Sequence, residues 1–326
     1  MRWTTRAAGA ALMATNLCGA GVGASRPAEA QVNPLSSEVP LQSAANTDPN
    51  AAPAVAADPA GELVAAWQRQ TGGSYQIFAR LFDRTGTPLG AEFQVNVATS
   101  GCHRFPAVAS DAAGNFVVAW QSEPGGGGSD IVIRKFNAAG TALSGEVTVD
   151  STPAGTGNTN AAVAMAPNGE FLVVWQSNLA SGGGWGIYGQ AFTGDATPRL
   201  TGVTQFEVSP AGTAGQVTPA VAFVATADAA PNFLVAWQSN NGAASGIELR
   251  GFDATGTATT AEIAASTAAA SGQGRPRLAA DASGNAVVVW QSLNQESGGW
   301  GYGVIARRFT SAGAPLGGEM LVNTTV

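Results

Sequence analysis

The chain has 326 residues, 45% hydrophobic and only 11% charged, with 22 Asp and Glu against 15 Lys and Arg and a formal charge of -7. That is enough apolar material for a substantial core, which excludes charge-driven disorder, and the negative balance excludes nucleic acid and acidic membrane surfaces as partners. Forty-three glycines and no long run of helical apolar spacing predict an all-β protein of short strands and tight turns.

Residues 1–30 read as a signal peptide. "MRWTTR" is a basic start, Ala7 to Ala14 and the Gly/Ala-rich run behind it form a weak apolar segment, and Ala28-Glu29-Ala30 is a small-x-small cleavage pattern. Cleavage there starts the mature chain at Gln31, removes Arg2, Arg6, Arg26 and Glu29, and leaves the rest two units more negative. Cys18 leaves too, so Cys102 stands alone and no intramolecular disulfide can staple the fold. Leu17 sits where a lipoprotein signal needs a small residue, and no later run reaches about 18 apolar residues. Soluble export, periplasmic or extracellular, is the expectation.

The remainder, 31–326, is expected to be one domain of five repeats, about 44–96, 97–150, 151–209, 210–266 and 267–323. The strand "ELVAAWQR" recurs as "NFVVAWQS", "EFLVVWQS", "NFLVAWQS" and "NAVVVWQS", with Trp67, Trp120, Trp175, Trp237 and Trp290 spaced by 53, 55, 62 and 53 residues. Each unit opens with a short strand such as "PAVAAD" (Pro53 to Asp58) or "PRLAAD" (Pro276 to Asp281) and turns through "DPAG", "DAAG", "PNG" or "DASG". The Trp strand follows, apolar on both faces and so requiring cover on both. After a Gly-rich loop comes a third strand ending in Phe82, Phe136, Phe192, Phe252 or Phe309, then a turn and a fourth strand such as "EFQVN". Four antiparallel strands with two apolar faces, repeated about every 54 residues, predict a β-propeller of five blades. A six-bladed ring, an open β-repeat array or a β-solenoid are the rivals. One strand is surplus: "EVPLQS" (Glu38 to Ser43) and "GEMLVN" both resemble a fourth strand, and a strict ring needs only one.

These motifs resemble the "VVAWQS … F.A.G…GEFQVN" tandem repeats of secreted and cell-surface bacterial proteins. The resemblance covers nearly all of Glu38 to Asn323 and weakens in the fourth unit, where "VATADAAPN" replaces the tight turn and "QFEVS" and "EIAAS" the fourth-strand pattern. It implies a propeller and an exported location, and it brings no catalytic residues.

Candidate chemistry is sparse. Cys102 and His103 suggest a thiolate–imidazole pair, but neighbours on an extended chain point to opposite sides. His103 also falls in register with Asn50, Asn158, Gln216 and Gln273, a polar position in the link between blades. One histidine and one retained cysteine exclude the usual zinc sets, and there is no Asp-x-Asp-x-Asp-Gly loop. Asp58, Asp111 and Asp281 are read as turn caps; no cofactor is expected, with a structural cation such as calcium as the exception.

Two functions fit. The first is an exported, non-enzymatic binding or scaffold protein, a monomer that engages a glycan, a peptide or a surface protein through its loops. Its candidate contacts are Tyr75, Trp185, Trp300 and Tyr302, aromatic in Gly-rich surroundings, and Gln68, Gln121, Gln176, Gln238 and Gln291, which follow the strand tryptophans. The structural alternative has those rings folded over blade edges and those amides satisfying backbone groups. The second function, ranked behind it, is a secreted carbohydrate-active hydrolase, glycosidase or sialidase-like, with Glu123, Asp130 and Glu296 as candidate carboxylates. Arg80, Arg134, Arg250 and Arg307 recur two residues before the third-strand Phe, which favours a role between blades over anion binding.

Overall fold

The computed structural model describes residues 39–42, 48–125, 127–153, 155–179, 184–199, 205–210, 215–225, 232–240, 245–267, 272–293 and 301–323. Residues 1–30, read above as a signal peptide, lie outside these. The first blade comprises β1 (Asn50–Ala57), β2 (Leu63–Thr71), β3 (Ser74–Phe82) and β4 (Phe93–Gln94); the second β5 (Cys102–Ser110), β6 (Phe116–Glu123), β7 (Asp130–Phe136) and β8 (Val147–Thr148). The third comprises β9 (Asn158–Met165), β10 (Phe171–Ser177), β11 (Gly186–Phe192) and β12 (Phe206–Glu207); the fourth β13 (Gln216–Val224), β14 (Asn232–Asn240), β15 (Ser245–Asp253) and β16 (Ile263–Ala264). The fifth comprises β17 (Gly274–Ala280), β18 (Ala286–Leu293), β19 (Tyr302–Phe309) and β20 (Met320–Leu321). Each blade is an antiparallel sheet in chain order, so the fold is an all-β, five-bladed β-propeller. The first strands of successive blades adjoin one another and form the inner ring.

The hairpins close for the chemical reason their sequences suggest. Asp111 Oδ1 accepts from the backbone N–H of Ala113 and of Asn115, each at 2.9 Å, and Gly114 takes φ 77°. Asp281 repeats the arrangement at Ser283 and Asn285, with Gly284 at φ 81°. Asp58 Oδ1 accepts from Glu62 N. The two-residue fourth strands are tied on by a side chain just beyond them. Asn96, Asp150, Ser209, Ser266 and Asn323 each accept the N–H of the third-strand Ile77, Ile131, Ile187, Ile247 or Val304, at 2.6–3.0 Å.

The seams between blades hold the core. The face of one blade that carries Phe, Val and Trp packs on the opposite, forward face of the blade before it. In the first seam Phe116, Val118 and Trp120 meet Val64, Ala66, Ile77 and Val95. The next three seams are filled in the same way. Trp120, Trp175, Trp237 and Trp290 are fully buried there, each burial stabilising by roughly 1.5–3 kcal/mol or more on the scale of large apolar side chains. Recurrent arginines bridge the same seams. Arg134 Nη1 donates to Val95 O (2.8 Å), Arg250 to Val208 O (3.0 Å) and Arg307 to Ala265 O (3.0 Å), each guanidinium lying 5.3–5.5 Å from its own blade's Phe ring.

The two ends of the chain explain the surplus strand. Val39 to Gln42 lies where a preceding blade's fourth strand would lie, with Leu41 O accepting from Arg80 as Val95 O does from Arg134. "GEMLVN" meanwhile supplies β20 of the fifth blade. Both segments are therefore used, and they occupy equivalent slots rather than sharing one. Among the described residues no apolar cluster joins the fifth blade to the first. Trp67 is instead covered within its own blade: Arg69, standing where the other repeats have Ser, lies 3.9 Å over the Phe78 ring and pairs with Glu92 at 2.7 Å.

Candidate functional site

Every first strand contains a bulge near its start, and at each bulge a non-glycine residue is left-handed: Ala52, Phe105, Asn160, Thr218 and Arg275, with φ of 49–54°. This conformation costs a non-glycine residue on the order of 1–2 kcal/mol, and four of the five precede proline, which restricts them further. Neighbouring blades support it. Gln68 Oε1 accepts from Phe105 N and Gln176 Oε1 from Thr218 N, both at 2.9 Å. Gln238 lies against Gly274, its Oε1 2.4 Å from where a Cβ would stand. Gln121 donates to Glu123 at 2.8 Å, and Gln291 lies half-buried in the last blade. The recurrent amides are thus distributed one per blade, and Gln68, Gln176 and Gln238 stand at the joint with the next blade's inner strand.

Of the predicted aromatics, Tyr75, Trp185 and Tyr302 lie on separate blades. Tyr75 sits half-buried under the Arg104 guanidinium at 5.0 Å. Trp185 is half-buried beside Gly157 and Asn178 of its own blade, and its carbonyl accepts from Gln216 N. Tyr302 is 59% exposed. Trp300 lies outside the described residues, as does Glu296.

His103 is buried, and its Nδ1 accepts from the Trp120 indole at 3.2 Å, as Gln216 Oε1 accepts from Trp237 at 2.7 Å. Burial holds its pKa below the usual histidine range, so the ring is neutral and its proton is on Nε2. Cys102 Sγ instead contacts Arg104. The two neighbours form no nucleophile–base pair. Among the described residues no three His, Cys, Asp or Glu side chains gather to hold a metal.

The carboxylates divide by environment. Glu123 is tied to Gln121, and Asp130, raised by burial, projects from the neighbouring strand to the other face of the sheet. Asp150 is committed to Ile131 N, Thr152 Oγ1 and Asn158 Nδ2. Glu248 and Glu262 differ from all of these. Glu248 pairs across the sheet with Ala264, and Glu262 lies two residues before Ala264, so both belong to the face that carries Arg250. Glu248 is half-buried, and burial with Glu262 beside it pushes its pKa up to about 7. Glu262 is exposed; burial of its surroundings raises it, while Arg250 pulls it down. One carboxyl that keeps its proton towards neutrality thus stands by a second that burial also raises but Arg250 draws back. No motif announced this pair; the only signal in the sequence is that Glu248 occupies a position that is Phe78, Val132, Tyr188 and Ile305 in the other units.

No protein-family model and no curated protein matches the chain. Among solved structures, the GH93 α-L-arabinofuranosidase of Fusarium graminearum, complexed with arabinobiose, matches with a TM-score of 0.50 at 14% identity, covering 79% of this chain and 76% of that one. An α-L-arabinofuranosidase from Lactobacillus brevis (TM-score 0.45, 12% identity, 85% and 96% covered) and an endo-1,4-beta-xylanase from Bacteroides thetaiotaomicron (0.45, 11%, 85% and 95%) are also similar. At these identities the likeness is one of fold. The first functional expectation, a non-enzymatic binding or scaffold protein, finds no support in these matches, and the hydrolase alternative is the one they favour. The matched arabinofuranosidase is a glycoside hydrolase.

Proposed function

We propose that this chain is a carbohydrate-active hydrolase that cleaves glycosidic bonds. The observation that carries the reading is the Glu248–Glu262 pair, set in the fold that the arabinofuranosidase shares. Glycosidic cleavage requires one carboxyl group that is protonated at working pH to donate to the leaving oxygen, and a second that is ionised to act as base or nucleophile. Glu248 meets the first requirement through burial and like-charge repulsion. Glu262, exposed and with Arg250 offsetting the rise that burial causes, is assigned the second role. The substrate class is a glycan. The leader and the repeat resemblance support export, which N-terminal sequencing of the mature protein at Gln31 checks.

The test is release of reducing ends from arabinobiose, arabinan and xylan by the purified chain. Glu248→Gln is expected to lower kcat by about 10²–10⁴-fold, the usual contribution of a general acid. Activity of the unaltered protein should fall as pH rises through about 7, where Glu248 loses its proton. Cleavage that survives Glu248→Gln, or that is flat across that pH range, removes the assignment.

A further inference from the structure

Among the described residues no blade packs an apolar cluster on the forward face of the last blade, and its chemistry departs from the other four. Ile77, Ile131, Ile187 and Ile247 are fully buried, whereas Val304 in the same register is 40% exposed. Two arginines stand on this face where the internal blades are mostly small. Arg277, opposite Val289, replaces Ala54, Ala107, Ala162 and Ala220. Arg308, opposite Val287, replaces Leu81, Lys135, Ala191 and Gly251. Both are exposed, in a chain whose overall charge is -7. Tyr302 shares the face, since it lies two and six residues before Val304 and Arg308 on one strand, and it is 59% exposed.

We propose that this face binds an anionic glycan, a saccharide chain bearing carboxylates. Tyr302 offers a ring for stacking on a sugar. The guanidinium forks of Arg277 and Arg308 match carboxylates in geometry as well as in charge. Tyr302 and Arg308 lie roughly 20 Å apart along the strand, at about 3.3 Å per residue, so the surface takes a chain rather than a single sugar. A second copy of the protein fits poorly. Face-to-face pairing brings Arg277 and Arg308 of both copies together, and docking onto the first blade sets them against Arg80, Arg69 there being buried in its pair with Glu92. Arg308 already has an acidic neighbour in Asp281, whose carboxyl is held below the usual range first by the Asn285 side chain and in smaller part by Arg308, so an acidic ligand extends an existing pattern. The choice of a glycan rests on the carbohydrate reading above; the surface itself lies on a different blade from Glu248 and Glu262.

Titration calorimetry of the full chain with polygalacturonate, neutral arabinan and polyglutamate, at low and at physiological salt, tests the proposal. Polygalacturonate is expected to bind, more weakly as salt rises, and arabinan to leave this face unoccupied. Arg277→Ala and Arg308→Ala should each weaken polygalacturonate binding about five- to tenfold, as for a charged contact at an accessible surface, with Tyr302→Ala weakening it comparably. Arg277→Ala restores a residue that four sibling blades carry, and an unchanged melting temperature verifies that the fold persists. Polygalacturonate binding that none of the three changes weakens overturns the proposal. So does polyglutamate binding as tightly as polygalacturonate with the same sensitivity, which assigns the face to an acidic protein. Loss of binding with arabinobiose cleavage retained supports it and separates this face from the catalytic pair. Binding by a protein that cleaves no glycan removes the hydrolase reading and leaves this surface standing.

Discussion

The second and fifth blades are nearly the same object in sequence and differ in their surroundings. Both carry a Trp strand, a third strand ending in Phe, and a two-residue fourth strand held by a side chain. In the second, Ile131 and Val149 are 0% and 3% exposed; in the fifth, their counterparts Val304 and Val322 are 40% and 53% exposed. The difference teaches that a blade's apolar residues acquire their stabilising effect from the neighbouring blade, as in other repeat arrays, and that the same letter in a repeat need not have the same energetic weight.

The largest test of that contrast is in the seams. Trp120→Ala, which empties a fully buried site between the first and second blades, should destabilise by about 3–5 kcal/mol in denaturant unfolding. Ile131→Ala should cost roughly 2–4 kcal/mol, while Val304→Ala should stay within about 1 kcal/mol. Equal costs at Ile131 and Val304 would mean that the fifth blade is covered in solution, and the contrast would fail.

A smaller effect separates the glutamines. Gln68→Ala removes the acceptor for Phe105 N–H and should cost about 1–3 kcal/mol if that group is left unpaired, whereas Gln291→Ala in the last blade should cost no more than about 0.5 kcal/mol. The Glu248 carboxyl offers a third comparison. Its pKa is raised in the folded chain above its unfolded value, so the folded state binds the extra proton and stability declines as pH climbs from about 4.5 towards 7. Glu248→Gln should therefore raise the melting temperature more at pH 8 than at pH 4.5.

Much of the architecture was legible in the chain because its cause is local. The Asp-x-x-Gly turns show which residues cap and which take positive φ, and the Trp strands, apolar on both faces, show that each blade needs neighbours. The fate of Glu38 to Ser43 was not legible, because two fourth-strand motifs compete for equivalent slots and only three-dimensional packing places Leu41 on Arg80. The coupled carboxyls escaped notice for a related reason: Glu248 and Glu262 lie 14 residues apart, brought onto one face by the pairing of β15 with β16. The arginines of the terminal faces did leave a trace, since "AWQR" and "PRLAAD" break patterns the other units keep. Reading a repeat for its departures, rather than its consensus, finds them.

The smallest predicted effect concerns the inner ring, where hairpin turns and bulges solve one conformational problem differently. At the turn, Gly114 adopts φ 77° with its would-be Cβ 3.0 Å from Ala138 Cβ, so Gly114→Ala meets both backbone strain and a close contact and should destabilise by about 1–2 kcal/mol. At the bulge, Ala52 holds φ 49° with a side chain present. Ala52→Gly relieves about 1–2 kcal/mol of left-handed strain but adds about 0.5–1 kcal/mol of unfolded-chain entropy, so a net gain of roughly 0.5 kcal/mol is expected in the same unfolding assay. A loss there would mean that the strand start is held by contacts of the Ala52 methyl group, and that the five bulges are a packing device rather than strain imposed by the pairing register.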